Sequence, residues 1–69
     1  MKRSKIIKRL RREAKVRGFD MRVVEKTRHT AVTIGEVTSH LGRHKEIDDV
    51  VARLFFDQFA EVFGKGWWR

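Results

Sequence analysis

Apolar side chains recur at helical spacing near both ends of the chain. In the first of these segments the recurring positions are Ile6, Ile7, Leu10 and Ala14, which form one narrow stripe on a helix. Ser4 is a favourable N-cap residue, and Gly18 stands where a helix would end. The pattern therefore predicts a first helix over residues 4–17, with the stripe facing a core.

The middle of the chain has the alternation and the β-branched residues typical of strands. Three strands are predicted: one over residues 19–26, a second from His29 to Ile34 and a third from Val37 to Leu41. Thr27-Arg28 is the first predicted turn. Gly35-Glu36 is a stronger turn signal, because glycine at the first central position suits a type II′ hairpin.

A longer apolar pattern follows Gly42 and predicts a second helix that ends at Gly64. Its apolar positions are Ile47, Val50, Val51, Leu54, Phe55, Phe59, Val62 and Phe63. The order α-β-β-β-α predicts an α+β two-layer sandwich, with two helices on one face of a three-stranded antiparallel sheet. We expect a single domain over residues 1–69, with its core in residues 4–63 and a C-terminal tail at 64–69.

Basic side chains are concentrated in the first helix. Residues 1–18 contain nine lysines and arginines against one acid, Glu13, whereas the rest of the chain is balanced, so this segment accounts for the formal net charge of +8. Such a surface is typical of anion binding, although a merely solvated helix face is the alternative. We expect its cations to flank the sheet edge at which His29 emerges. The candidate nucleic-acid contacts are Lys5, Lys8, Arg9, Arg11, Arg12, Lys15 and Arg28.

The composition excludes several classes of site and protein. The chain has no cysteine, so it can form neither disulfides nor a thiolate zinc site. No apolar run is long enough to span a membrane or to serve as the core of a signal peptide after the basic start. We therefore expect a soluble, cytoplasmic protein that acts on no membrane and takes no small-molecule substrate.

Three histidines carry the remaining candidate chemistry: His29, His40 and His44. Imidazole is both an acid and a base near neutral pH, which is what cleavage of RNA through its 2′-hydroxyl requires. His29 follows Arg28 at the start of a predicted strand, so an exposed imidazole beside a guanidinium is expected there. The alternative is a surface histidine without a role. His40 and His44 are spaced like metal ligands on a helix, but Gly42 argues against a helix there, and we expect no metal and no cofactor.

The arrangement of these segments resembles the HicA-type toxin family, whose short members cleave RNA and pair with HicB antitoxins. The segment from Ser4 to Leu10, ending at Gly18-Phe19, looks like the first helix of the family and its exit. Thr27-Arg28-His29 stands where the family usually has Gly-Ser-His, and His44-Lys45-Glu46-Ile47 is similar to its His-x-x-Glu-Leu run. The likeness covers residues 4–60.

This resemblance implies a fold like that of double-stranded-RNA-binding domains and an mRNA interferase, which is a metal-independent endoribonuclease. It implies that His29 is the catalytic acid or base and that the partner is an acidic, HicB-like antitoxin. The chain departs from the family pattern in having Thr27-Arg28 before the histidine and no proline near the end of the third strand.

Two other functions remain open at the level of sequence. One is a non-catalytic, phage-like regulator that binds RNA or DNA through the basic helix. The other is a protein-interaction module that binds an acidic partner, with Phe56, Trp67 and Trp68 as exposed partner-binding aromatics. The alternatives for these three are a wide apolar stripe that buries Phe56 and a tail that folds back to cover the core.

Overall fold

The computed structural model describes all of residues 1–69 and has the predicted order of helices and strands. Helix α1 spans Arg3–Arg17 and is followed by strands β1 (Met21–Glu25), β2 (His29–Ile34) and β3 (Val37–Gly42). Two short helices complete the chain, α2 (Asp49–Asp57) and α3 (Ala60–Phe63). The α+β layout is therefore confirmed, with the last predicted helix divided in two.

Helix α1 begins earlier than expected and ends where expected. Lys2, not Ser4, is its N-cap residue, and no side chain caps the helix. The expectation for Ser4 was wrong because Lys2 is held in an extended conformation by a β-bridge to Glu46. At the other end Gly18 has a φ of 77°, and its N–H donates to backbone carbonyls of the last turn.

The three strands form an antiparallel sheet in the order β1-β2-β3. β1 starts two residues later than predicted because the N–H of Phe19 still bonds to the carbonyl of Ala14 at the helix end (2.8 Å). Both predicted turns are present, and Gly35 has a φ of 60° in the second. β3 runs one residue further than predicted, so that Gly42 pairs with His29.

Helices α1 and α2 pack on the same face of the sheet. Buried side chains from α1, β2, β3, α2 and α3 form one apolar cluster: Ile6, Leu10, Ala14, Val32, Ile34, Leu41, Ile47, Ala52, Phe55, Phe56, Phe59 and Phe63. The opposite face, called here the open sheet face, is covered by no element of the chain. It carries Arg22, Val24, His29, Ala31, Thr33, Thr38 and His40.

The predicted second helix is interrupted at Gln58 and Phe59. The Gln58 side chain accepts a hydrogen bond from the hydroxyl of Ser39 on β3, and Phe59 is completely buried outside helical geometry. Burial of the Phe59 ring and the hydrogen bond to the buried Ser39 hydroxyl stabilise the fold more than one further turn of regular helix would. The expectation of one continuous helix to Gly64 was therefore wrong.

Helix α2 is oriented differently from the predicted apolar stripe. Val50, Val51 and Leu54 are 59%, 50% and 58% exposed, whereas Ala52 and Phe56 are buried. The apolar positions surround so much of this helix that only part of them can face the sheet. The structure buries the phenylalanines, which remove more apolar surface from water than the valines do.

The C-terminal tail folds back on the core. Phe56 is only 3% exposed, and its ring centre lies 5.3 Å from that of Trp67. The indole N–H of Trp67 donates to the carbonyl of Phe56 (2.9 Å), and that of Trp68 donates to the carboxylate of Asp57 (2.7 Å). The interpretation of Phe56 as an exposed partner-binding residue was therefore wrong, and the two half-buried tryptophans cover the core.

None of the three helices has the length and apolar character needed to cross a bilayer.

Candidate nucleic-acid interface

Four cations form a continuous row on the outer side of α1, called here the basic stripe: Lys5, Lys8, Arg9 and Arg12. Their spacing of three and four residues places them on one side of the helix. Because Ile6 and Leu10 point into the core, the stripe faces away from the sheet. Its four side chains and Met1 line a shallow depression of about 270 Å³, where several cations converge on one space.

No acidic side chain pairs with the basic stripe. The ion pairs of the molecule involve the Met1 ammonium, Arg3, Arg17 and Arg43. Like charges one helical turn apart repel each other, and this repulsion destabilises the helix. A bound anion would relieve it. Arg11 and Lys15 are exposed beside it, which widens the cationic surface of the helix.

Arg9 also has a structural role that sequence reasoning missed. Its guanidinium donates to the carbonyl of Trp68 (3.3 Å) and lies 5.9 Å from the centre of the Trp67 ring. These contacts hold the tail against α1. No local signal in the sequence connects residue 9 to residues near the C-terminus, so this role could not be anticipated.

His29 lies at the start of β2, immediately after the first turn. The turn is closed by a hydrogen bond from the N–H of Lys26 to the carbonyl of His29 (2.8 Å). Arg28 is exposed within the turn, and the imidazole of His29 is exposed on the open sheet face. The predicted exposure of the His29 imidazole is thus found in the structure, with Arg28 exposed at the preceding position.

The structure brings His40 next to His29. Their ring centres are 6.3 Å apart, with the ring planes at 81°. His29 pairs with Gly42 and His40 with Ala31, so the two histidines are diagonal neighbours on one face of an antiparallel pair. The sequence contains the information for this contact, since the Gly35-Glu36 turn fixes the register of β2 and β3. The contact between the two histidines was nevertheless not predicted.

Glu25 ties the start of α1 to the end of the sheet that carries His29. Its carboxylate binds the guanidinium of Arg3 (2.7 Å), accepts from the hydroxyl of Thr30 (2.9 Å) and pairs with Arg43 (3.1 Å). The same Arg3 guanidinium also contacts the Thr30 hydroxyl. The hydrogen bond from Thr30, followed by that from Arg3, lowers the pKa of Glu25 below its ordinary value.

The basic stripe and the histidines lie on opposite faces of the molecule. The stripe points away from the sheet, and His29 and His40 point away from the helices. Of the α1 cations, Arg3 reaches the sheet end beside His29, through Glu25 and Thr30. The expectation that the cations of the helix as a whole flank His29 was therefore wrong, because the apolar stripe of α1 turns most of them outward.

No group of three or more histidine, aspartate and glutamate side chains converges in a way that could hold a metal ion. Comparison of the chain with protein-family models, curated proteins and solved structures found no match in any of the three. The resemblance to HicA-type toxins therefore stays a prediction, and the functional interpretation depends on the surfaces described above.

Proposed function

We propose that this protein binds RNA through the basic stripe of α1. The observation that carries the proposal is a row of four cations without acidic partners on one side of a packed helix. From Lys5 to Arg12 the row spans about 10 Å of helix axis, whereas the phosphates of one nucleic-acid strand recur about every 3.4 Å along the axis of a duplex. A few consecutive phosphates therefore fit along the stripe.

Substitution of the stripe tests this proposal. In the variant Lys5→Gln, Lys8→Gln, Arg12→Gln, each substitution removes a charge but keeps a long side chain that suits a helix. We expect the dissociation constant for a labelled single-stranded RNA, measured by fluorescence anisotropy, to rise at least about tenfold, since each lost phosphate contact removes counterion release. The matched control is Lys65→Gln, which removes one exposed cation outside the stripe. Equal affinity of the triple variant and the wild type contradicts the proposal.

A second function, cleavage of the bound RNA, is supported by the exposure of His29 beside Arg28. As a base, His29 takes the proton of a ribose 2′-hydroxyl, and the oxygen attacks the adjacent phosphorus. Arg28, the adjacent cation in the chain, stabilises the charge that develops on the phosphate. This is the reaction of a HicA-like toxin, and it requires no cofactor.

The cleavage proposal predicts different effects on binding and on catalysis. We expect His29→Ala to abolish cleavage of RNA between pH 5 and pH 8 while its affinity for the same RNA stays within about twofold of wild type, because the stripe is on the other face. If the wild type binds RNA but leaves it intact, the protein is a non-catalytic nucleic-acid-binding regulator. If His29→Ala cleaves as fast as the wild type, the role assigned to His29 is wrong.

Among proteins, an acidic partner is the one whose charge complements this surface. An antitoxin whose carboxylates replace the RNA phosphates would pair with Lys5, Lys8 and Arg12 and would exclude RNA from the stripe. We therefore expect such a partner and RNA to compete for the protein, and the triple stripe variant to bind both more weakly.

A further inference from the structure

The open sheet face carries a pair of histidines that no apolar contact explains. His29 and His40 are both exposed, they come from neighbouring strands, and their ring centres lie 6.3 Å apart. Their neighbours on the same face are Val24, Ala31, Thr33 and Thr38. No helix covers this surface, so the two imidazoles meet in solvent.

We infer that His29 and His40 act together as the base and the acid of one cleavage site for single-stranded RNA on the open sheet face. The inference rests on the proposed ribonuclease function and extends it, because that proposal assigns a role to His29 alone. Two rings at this separation can both approach one phosphodiester, since each nitrogen must come within about 3 Å of an oxygen.

The two histidines would divide the proton transfers between them. One imidazole removes the 2′-hydroxyl proton while the 2′-oxygen forms a bond to phosphorus. The bond from phosphorus to the 5′-oxygen breaks, and the second ring, which enters the reaction as imidazolium, gives its proton to that leaving oxygen. The products are a 2′,3′-cyclic phosphate and a 5′-hydroxyl, with no net change in protons and no other reactant.

The surroundings of the pair favour a negatively charged substrate. The charged side chains at this end of the sheet are Arg3, Glu25, Lys26, Arg28 and Arg43. Glu25, the only acid among them, is already bound by Arg3 and Arg43. Arg43 also donates to the carbonyl of Lys26 (3.1 Å), which fixes a cation beside the first turn.

A single strand suits this surface better than a duplex. No element of the chain covers the sheet face, so the bases of a single strand can spread apart on it. An unpaired nucleotide can also rotate its 2′-oxygen into line with the leaving oxygen, which the regular geometry of a duplex prevents.

The test uses the full-length protein and a single-stranded DNA oligonucleotide that contains one ribonucleotide, with the all-deoxy oligonucleotide as control substrate. Single-turnover rates are compared for the wild type, His29→Ala, His40→Ala and the double variant, with Lys65→Gln, an exposed position outside the open sheet face, as the control. We expect each alanine in the pair to lower the rate about 10²- to 10⁴-fold and the double variant to be no slower than the slower single variant. Lys65→Gln should stay within about twofold of wild type.

Two further measurements separate a chemical role from a structural one. Affinity for the all-deoxy oligonucleotide should be unchanged in His40→Ala, and His40→Asn, which keeps a polar side chain, should be as slow as His40→Ala. The plot of the wild-type rate against pH should be bell-shaped, because one group must be protonated and the other deprotonated. Each single variant should lose either the rise or the fall of that curve. Circular dichroism and thermal unfolding verify that each variant is folded.

The outcomes distinguish this inference from the proposed function. If His29→Ala is inactive and His40→Ala cleaves at the wild-type rate, the ribonuclease proposal stands and the paired mechanism is overturned. If the wild type binds the ribonucleotide substrate but does not cleave it, both the ribonuclease proposal and the pair are overturned, and RNA binding by α1 stands. Products with a 3′-hydroxyl and a 5′-phosphate, or cleavage of the all-deoxy control, also overturn the pair.

Discussion

Glu25 makes more polar contacts between separate segments than any other carboxylate in the molecule. Through Arg3, Thr30 and Arg43 it joins the start of α1, the start of β2 and the segment after β3. These are the segments that surround His29. The Glu25 side chain is itself 46% exposed. Its contacts with these three partners nevertheless hold together the segments around the candidate site.

The lowered pKa of Glu25 predicts how stability depends on pH. A carboxyl whose folded-state pKa lies below its unfolded value, about 4.3 for glutamate, stabilises the fold above that value. This contribution is lost as the pH falls through the lower folded-state pKa. We expect the Glu25→Gln variant to be less stable than wild type at pH 7 and to lose less stability than wild type when the pH is lowered from 5 to 3, as measured by urea unfolding.

The control for this prediction is Glu36→Gln, which removes an exposed carboxylate without an ion pair from the second turn. It should follow the wild-type pH dependence. The same acid destabilisation in Glu25→Gln as in wild type would show that the contacts of Glu25 do not contribute to stability.

Among the helices and strands, α2 is the one whose buried side the apolar periodicity of the sequence predicted wrongly. Leu54 belongs to the apolar stripe that the sequence predicts, and Phe56 lies off it, yet Leu54 is 58% exposed and Phe56 is 3% exposed. The rotation of the helix about its axis is decided by contacts with the tail. Trp67 and Trp68 pack on Phe56 and bury it.

This orientation predicts opposite mutational effects from those of the apolar pattern. Phe56→Ala should destabilise the protein by about 3–5 kcal/mol, which approaches the whole stability expected of a core this small, so that most of the protein is unfolded. Leu54→Ala, a truncation to alanine at an exposed position of the same helix, should change the free energy of unfolding by less than about 0.5 kcal/mol. Thermal and urea unfolding measure both, and a larger effect for Leu54 than for Phe56 contradicts the observed packing of α2.

Local signals predicted those parts of the fold that depend on neighbours in the chain. Gly18 marked the end of α1, and the Gly35-Glu36 turn fixed the pairing of β2 with β3, which in turn places His29 beside His40. Contacts between distant residues were not predictable in this way. The β-bridge that starts α1 and the packing of the tail on Phe56 join the first and the last residues to other elements.

The whole molecule separates charge and candidate chemistry onto two faces. Its Cα extents are 28 × 23 × 16 Å, and the shortest is the thickness of two layers. The basic stripe is on the helix layer and the histidine pair is on the sheet layer. In the proposed function one RNA strand contacts both by passing around the end of the molecule where Arg3 and Arg28 lie.

The helix layer is also divided in charge. α1 carries the excess of cations, whereas the segment from Glu46 to Glu61 has five acids and one base, Arg53. Acidic side chains repel phosphates, so RNA bound to the stripe should run along α1 and away from α2. Within the helix layer, α1 is therefore the side that favours a polyanion.

The salt dependence of RNA binding tests the central claim, phosphate contact through the basic stripe, most directly. We expect the logarithm of the association constant for single-stranded RNA to fall linearly with the logarithm of the salt concentration, with a slope of about −0.7 for each phosphate contact. The triple variant of Lys5, Lys8 and Arg12 should have a slope shallower than wild type by about 2, while Lys65→Gln keeps the wild-type slope. A slope that is the same in the triple variant and the wild type would show that RNA binds elsewhere.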